Sequence, residues 1–344
     1  MKKLLLALML LSAIDMQHAQ SENLSKHVDP FIGTGLHGHT FPGPCLPFGM
    51  VQLSPDTGTE GWDWCSGYHE SDSSIMGFSH THLSGTGCGE LGDILFMPYT
   101  GEWKTNPGSK ENPEEGYRSR FSHADEKAEA GYYSVKLASY NITAELTATK
   151  RCGFHKYTFP QSDKSNIIID LAHGIDDSTD ESWIEIIGKD QVRGFRKSSG
   201  WWAQDEYIYF HAKFSKAIDE SYIHIDPKHP LKKGSTKGIG KGVKALLRFK
   251  TEEGEAVYAK VGISPVSAEN ALANLNAEIP AWDFDGVRQA AAKAWDEHLS
   301  KIVVQGNEKQ KRIFYTAMYH ALLVPYLYMD VNGEYRGMDK TIYD

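Results

Sequence analysis

The 344 residues are 40% hydrophobic, 24% charged and 11% aromatic, a composition that buries a large core and excludes a disordered chain. The net charge of −9, with no Lys/Arg run interleaved with aromatics, argues against nucleic acid and anionic membranes as partners. A neutral ligand fits better.

At the amino terminus, Lys2 and Lys3 precede the apolar run Leu4–Leu11, and a small residue, Ala19, follows in a polar stretch. This reads as a bacterial-type export signal over residues 1–19. The run is too short to span a bilayer, and no cysteine beside the cut would take a lipid. The mature chain is therefore expected in the periplasm or outside the cell, with no membrane insertion. Cys45, Cys65, Cys88 and Cys152 form no C-x-x-C pair and no zinc spacing. They fit either a disulfide or buried free thiols.

Residues 61–92 read GWDWCSGYHESDSSIMGFSHTHLSGTGCGELG, with two tryptophans, three histidines, two cysteines and seven glycines. That composition suits neither a helix nor a strand. From Tyr132 to Ile263 short alternating runs rich in Val, Ile, Tyr and Phe follow one another: YYSVKLASY, ITAELTATK, FHKYTFP, NIIIDLA, SWIEII, EYIYFHAKF, GVKALLRFK and AVYAKVGI. Gly, Pro, Asp or Ser bounds each run, so the fold class is mainly β, a sandwich over residues 20–267. Within it, PLKKGSTKGIGKG (Pro230–Gly242) reads as an exposed hairpin turn, and Asp176, Asp177 and Glu181 as a solvated acidic loop.

The period then changes. Val287, Ala291, Ala294, Trp295 and His298 recur at helical spacing, and Ile313, Ala317, Ala321 and Val324 repeat it after the break at Gly306-Asn307. Residues 268–305 are thus a helical linker. The segment IFYTAMYHALLVPYLYM is apolar on nearly every face, and Ile313, Phe314, Met318, Leu322 and Leu323 lack an evident cover. The sequence reads as the front of a longer protein.

Six segments, VDPFIGTG, FPGP, PFGMVQLSPD, GWDWCSGYH, GFSHTHLSGTGCGELGDI and YHALLVPYLYMDVNGEYRGMD, occur in an order that resembles glycoside hydrolase family 92, the calcium-dependent exo-acting α-mannosidases. The resemblance spans essentially the whole mature chain. It implies an amino-terminal β-sandwich, a helical linker and a carboxy-terminal (α/α)6 barrel, with the active site where the domains meet. Residues 306–344 would be the incomplete start of that barrel. The implied reaction is hydrolysis of terminal α-mannosyl residues of N-glycans or mannans with inversion. Its acid, base and most calcium (Ca2+) ligands are expected beyond Asp344, in the carboxy-terminal remainder, so that no catalytic residue is assigned here and the fragment alone is expected to be inactive. A non-catalytic carbohydrate-binding sandwich is the alternative.

A sugar presents apolar C–H faces and a ring of hydroxyls, so its site needs aromatic platforms and short polar groups on tight loops. Trp62, Trp64, His69, His80 and His82 offer both, and Trp62 is preferred of the two tryptophans. Zinc ligation by His69, His80 and His82 is a weaker alternative, and His37 and His39 read as polar loop residues. In YRGMD the resemblance assigns Asp339 to the hydroxyls of the cleaved mannose. Arg336 would pair with it or with another carboxylate.

Overall fold

The computed structural model describes residues 23–225 and 232–344. The export segment at 1–19 and residues 230–231 of the basic turn lie outside them. Two antiparallel sheets face each other. One has seven strands in the order Ser54–Asp56, Gly77–Ser79, Leu95–Thr100, Ser162–Asp170, Lys244–Thr251, Glu220–His224 and Lys232–Lys233. The other has nine, in the order Lys237–Gly240, Ser178–Ile187, Gln191–Ser199, Glu206–Phe214, Glu255–Ser264, Cys152–Phe159, Ile142–Ala148, Tyr132–Leu137 and Glu126–Glu129.

Period-two alternation explains why these segments pair face to face. Along Tyr132–Leu137, Val135 and Leu137 are buried while Ser134 and Lys136 are half-buried. One contiguous core runs from Leu53, Phe78 and Phe96 through Tyr157, Ile168 and Phe210 to Leu247 and Val261, all buried. Pro230–Gly242 differs from the exposed turn expected of it. Lys232–Lys233 pairs with Tyr222–Ile223, and Lys237–Gly240 pairs with Glu185–Ser182, so the segment crosses from one sheet to the edge of the other.

Three helices follow. Helix α1 (Ala268–Glu278) starts at Ser267, whose side chain accepts from the Asn270 amide, and α2 (Phe284–Leu299) at Asp283, which accepts from Gly286. Helix α3 (Glu308–Ala321) opens on a reciprocal Asn307–Gln310 capping box. Helix α1 lies on the nine-stranded sheet, where Asn274 Nδ2 donates to the Ile263 carbonyl at 2.9 Å. The α3 helix is more one-sided than its sequence suggests. Tyr315, Thr316 and Tyr319 are buried, with the Tyr319 ring 4.4 Å from Trp295 of α2, while Ile313 is 56% exposed. Leu323 is buried and Phe314, Met318 and Leu322 pack partly against the same cluster, so four of the five side chains expected to lack cover have some. Their cover is the amino-terminal segment, where Leu24 and Val28 join the cluster and Trp295 Nε1 donates to the Cys45 carbonyl at 2.9 Å.

Candidate functional site

The glycine-rich stretch forms two loops, one on each side of the short strands Ser74–Ile75 and Gly77–Ser79. After Gly61, Trp62–Trp64 make a single 3-10 turn. The two tryptophans then part in role. Trp64 Nε1 donates to Asp72 Oδ2 at 2.6 Å, and Lys110 Nζ, itself bonded to Asp72, sits 3.6 Å over the Trp64 ring. Trp64 is thereby fixed as a half-buried pillar. Trp62 is 57% exposed and has His37 at 4.7 Å and His39 edge-on at 4.6 Å between ring centroids. The 85–92 loop closes against it: a Cβ at Gly87 would lie 2.9 Å from Trp62 Nε1, so a larger residue there would push the indole aside.

His69 is half-exposed, with Nδ1 2.7 Å from Ser71 Oγ and Nε2 3.1 Å from the Leu36 carbonyl. It lines an open cleft of about 520 Å³ with Phe31, Leu36 and Glu70.

His80 and His82 do not reach this surface, and their expected contact with a sugar gives way to a structural role. Both are fully buried. His80 Nδ1 is 2.7 Å from the Ile94 carbonyl and its Nε2 is 3.1 Å from His155 Nε2; burial pulls the His80 imidazole down to about 4. His82 Nδ1 is 2.7 Å from the Gln52 carbonyl, and its Nε2 is 2.8 Å from Asp56 Oδ1. Asp56 is also 2.8 Å from His173 Nε2 and accepts from Ser79 Oγ at 2.6 Å. Burial alone would raise the Asp56 carboxyl, but the two imidazoles and their hydrogen bonds outweigh it and hold it well below the carboxylate range. Nor does the zinc trio of His69, His80 and His82 assemble, because each is engaged by different partners.

The acidic residues Asp176, Asp177 and Glu181 also separate. Asp176 and Glu181 are exposed, whereas Asp177 is not a solvated loop residue: its Oδ1 meets Arg196 Nη2 at 2.6 Å, and Arg196 Nη1 meets Asp93 Oδ1 at 2.6 Å, with the guanidinium fully buried. Beside this cluster, Glu206 is pushed well above the carboxylate range by burial and by the charge of Asp93, and its Oε2 has no hydrogen-bond partner.

Asp339 is exposed; its Oδ2 accepts from Tyr343 Oη at 2.7 Å and its Oδ1 from the Thr341 amide at 3.1 Å. Arg336 does not bridge to it. The guanidinium donates to the carbonyls of Pro265 and Lys340 and stacks 4.2 Å over the Tyr207 ring, which makes it a brace for the segment. A chain of contacts joins this segment to the tryptophan loop. Lys340 Nζ donates to the Gln204 and Asp205 carbonyls, and the Trp202 amide donates to Glu90 Oε1 in the 85–92 loop, whose Gly87 adjoins Trp62. The hairpin between those contacts exposes Trp201 (79%) and Trp202 (51%).

The comparisons with known proteins decide the family. The model of the glycosyl hydrolase family 92 N-terminal domain matches residues 27–264, and that of the family 92 catalytic domain matches residues 270–344. The chain belongs to glycosyl hydrolase family 92. Among family 92 structures it resembles the α-mannosidase BT3965 of Bacteroides thetaiotaomicron, solved with mannoimidazole, at a TM-score of 0.90 and 38% identity over 94% of this chain and 43% of that one. The inverting mannosidase BT2199 of the same organism aligns at a TM-score of 0.81 and 28% identity over 93% of this chain and 43% of that one. An uncharacterized secreted glycosidase of Arthroderma benhamiae is 30% identical over 90% of this chain and 42% of its own length. The chain thus spans less than half the length of these relatives.

Calcium takes six to eight oxygen ligands. Among the described residues, the one group of three or more His, Cys, Asp or Glu close enough to share an ion is His37, His39 and Asp63. Two imidazoles and one carboxylate do not fit calcium. The four cysteines are free thiols, Cys45, Cys65 and Cys152 buried and Cys88 half-buried. Among the described residues, no helix is long and apolar enough to cross a membrane.

Sequence reasoning passed over Trp201, Trp202 and the His37–His39–Asp63 group. The tryptophan doublet between two alternating runs was a signal for the first. For the second the signal was His-x-His alone, since Asp63 joins it only through the fold.

Proposed function

We propose that this chain forms the sandwich-side wall of an exported exo-α-mannosidase that removes terminal α-mannosyl residues from mannose-containing glycans with inversion. The observation that carries this reading is the open indole of Trp62, on tight loops and ringed by polar groups, in a family 92 chain similar to proteins named as α-mannosidases. Trp62 meets an apolar sugar face. Asp339, exposed at the same end and braced through Arg336 and Tyr343, accepts from neighbouring hydroxyls. Trp64 and His69 support that surface from behind and beside it.

Inversion requires one carboxyl to protonate the leaving oxygen and a second, about 6.5–9.5 Å away, to activate water on the opposite face. The buried carboxylates of this chain are unsuited to that pair, because Asp56 is held by two histidines and Asp93 and Asp177 by Arg196. We place the acid, the base and an oxygen-rich calcium site in the part of the enzyme that its relatives have beyond this length. Calcium, when bound, would act as a Lewis acid on sugar hydroxyls. Export rests on the Lys2–Lys3 and Leu4–Leu11 pattern and on the relative named as secreted.

The test is the anomer first released by the full-length enzyme from an aryl α-mannoside, followed by proton NMR. β-Mannose should appear first and then mutarotate. α-Mannose first would refute inversion, and glycan binding without any hydrolysis would favour the carbohydrate-binding alternative.

A further inference from the structure

Calcium does not suit His37, His39 and Asp63, yet the three are arranged as ligands of another kind. His37 Nδ1 is 2.6 Å from Asp63 Oδ1, His39 Nε2 is 3.7 Å from the same oxygen, and donor atoms from all three residues lie within 4.8 Å of one another. Zinc-class ions hold nitrogen and oxygen ligands at about 2.0–2.2 Å, so tetrahedral neighbours stand about 3.3 Å apart. The two measured separations bracket that value.

His39 supplies an independent observation. It is only 6% exposed, and its Nε2 has no hydrogen-bond partner although it points at Asp63. A buried ring nitrogen left without a partner is unfavourable, and a cation between it and the carboxylate would relieve that. The His39 backbone is pinned, since the Gly85 amide donates to its carbonyl at 2.7 Å. His37 is largely exposed, and its Nδ1 already meets Asp63 Oδ1.

We propose that His37, His39 and Asp63 bind one divalent transition-metal ion of the zinc class beside Trp62. His39 is the preset ligand, Asp63 the anionic one and His37 the exposed one. Three protein ligands leave a fourth position for water or a hydroxyl. Because both imidazoles also pack on Trp62, the ion fixes the position of that indole.

Untagged protein is titrated with zinc chloride by calorimetry and with cobalt(II) chloride by visible absorption. The expected result is one ion per chain, a cobalt spectrum of tetrahedral intensity, and an affinity at least about tenfold weaker in His39→Gln and Asp63→Asn. His37→Gln, at an exposed position that cannot unfold the chain, should also weaken binding and bleach the cobalt bands. Millimolar calcium should not compete. Zinc affinity unchanged in His37→Gln, or binding without tetrahedral cobalt bands, would overturn the proposal.

Discussion

Replacing Asp56 by alanine should loosen the frame that carries the tryptophan loop. The carboxylate is fully buried and reaches His82, His173 and Ser79, and a Cβ at Gly67 would stand 2.0 Å from its Oδ1, so it also packs under the 61–69 loop. In Asp56→Ala, His82 keeps the Gln52 carbonyl and Ser79 Oγ, whereas His173 Nε2 loses its carboxylate. Removing one partner of a buried ion pair costs about 3–5 kcal/mol; with His82 still served, about 3–4 is expected. For a domain of this size that is a fall of roughly 5–10 °C in Tm. Asp56→Asn keeps the shape and loses the charge, at about 1.5–3 kcal/mol. The folded carboxyl is depressed, so its contribution is fully present above the unfolded range near pH 4 and is lost as pH falls through the lower folded value. Urea unfolding followed by circular dichroism at pH 7 and below pH 4 is the assay. A variant within about 0.5 kcal/mol of wild type at pH 7 would refute the reasoning.

Glu206→Gln should do the reverse. Its folded carboxyl is raised, so the ionised unfolded state gains on the folded one as pH climbs above about 4; the variant should be more stable than wild type at pH 7, with no gain at pH 4, in the same urea assay. Arg196→Ala leaves Asp93 and Asp177 buried without their cation, and should cost at least about 3–5 kcal/mol, read as loss of soluble protein or a large drop in Tm. Trp295→Ala empties the centre of the cluster between α2, α3 and the amino-terminal segment, and calorimetry should show about 3–5 kcal/mol lost. Asp339→Ala, at an exposed position, should lower kcat/KM on an aryl α-mannoside strongly while leaving Tm unchanged.

The eight short apolar runs are all strands: Tyr132–Leu137 and Ile142–Ala148 carry the period of one buried face, whereas Ser162–Asp170 and Lys244–Thr251 are buried on both faces in the middle of their sheet and show themselves by continuous apolar runs bounded by polar residues. Gln191–Ser199 did not announce itself. It carries Arg193, Arg196 and Lys197, and Arg196 is buried only because Asp93 and Asp177 meet it from distant segments. Leu95–Thr100 was obscured by Pro98, which a central strand excludes; beyond the Phe78–Phe96 bridge the strand is an edge, where the missing N–H costs no ladder bond. At the site, the composition of the loop was legible, but not the division of labour within it. Trp62 and Trp64 look alike in sequence, and Asp72 and Lys110 separate them. The burial of His80 and His82 depends in the same way on Asp56, His155 and Gln52, partners no local pattern reveals.

The central claim, that the open face of Trp62 is a sugar platform, is tested most directly by Trp62→Ala in the full-length enzyme. With 57% of the residue exposed, less than half of its roughly 250 Å² is buried, an upper bound of about 2.7 kcal/mol and a few degrees of Tm. The variant should fold, and its kcat/KM on α-mannosides should fall by one to three orders of magnitude, about 1.4–4 kcal/mol of transition-state binding. A Trp62→Ala enzyme that loses much of its stability while its folded fraction keeps full activity would contradict the claim.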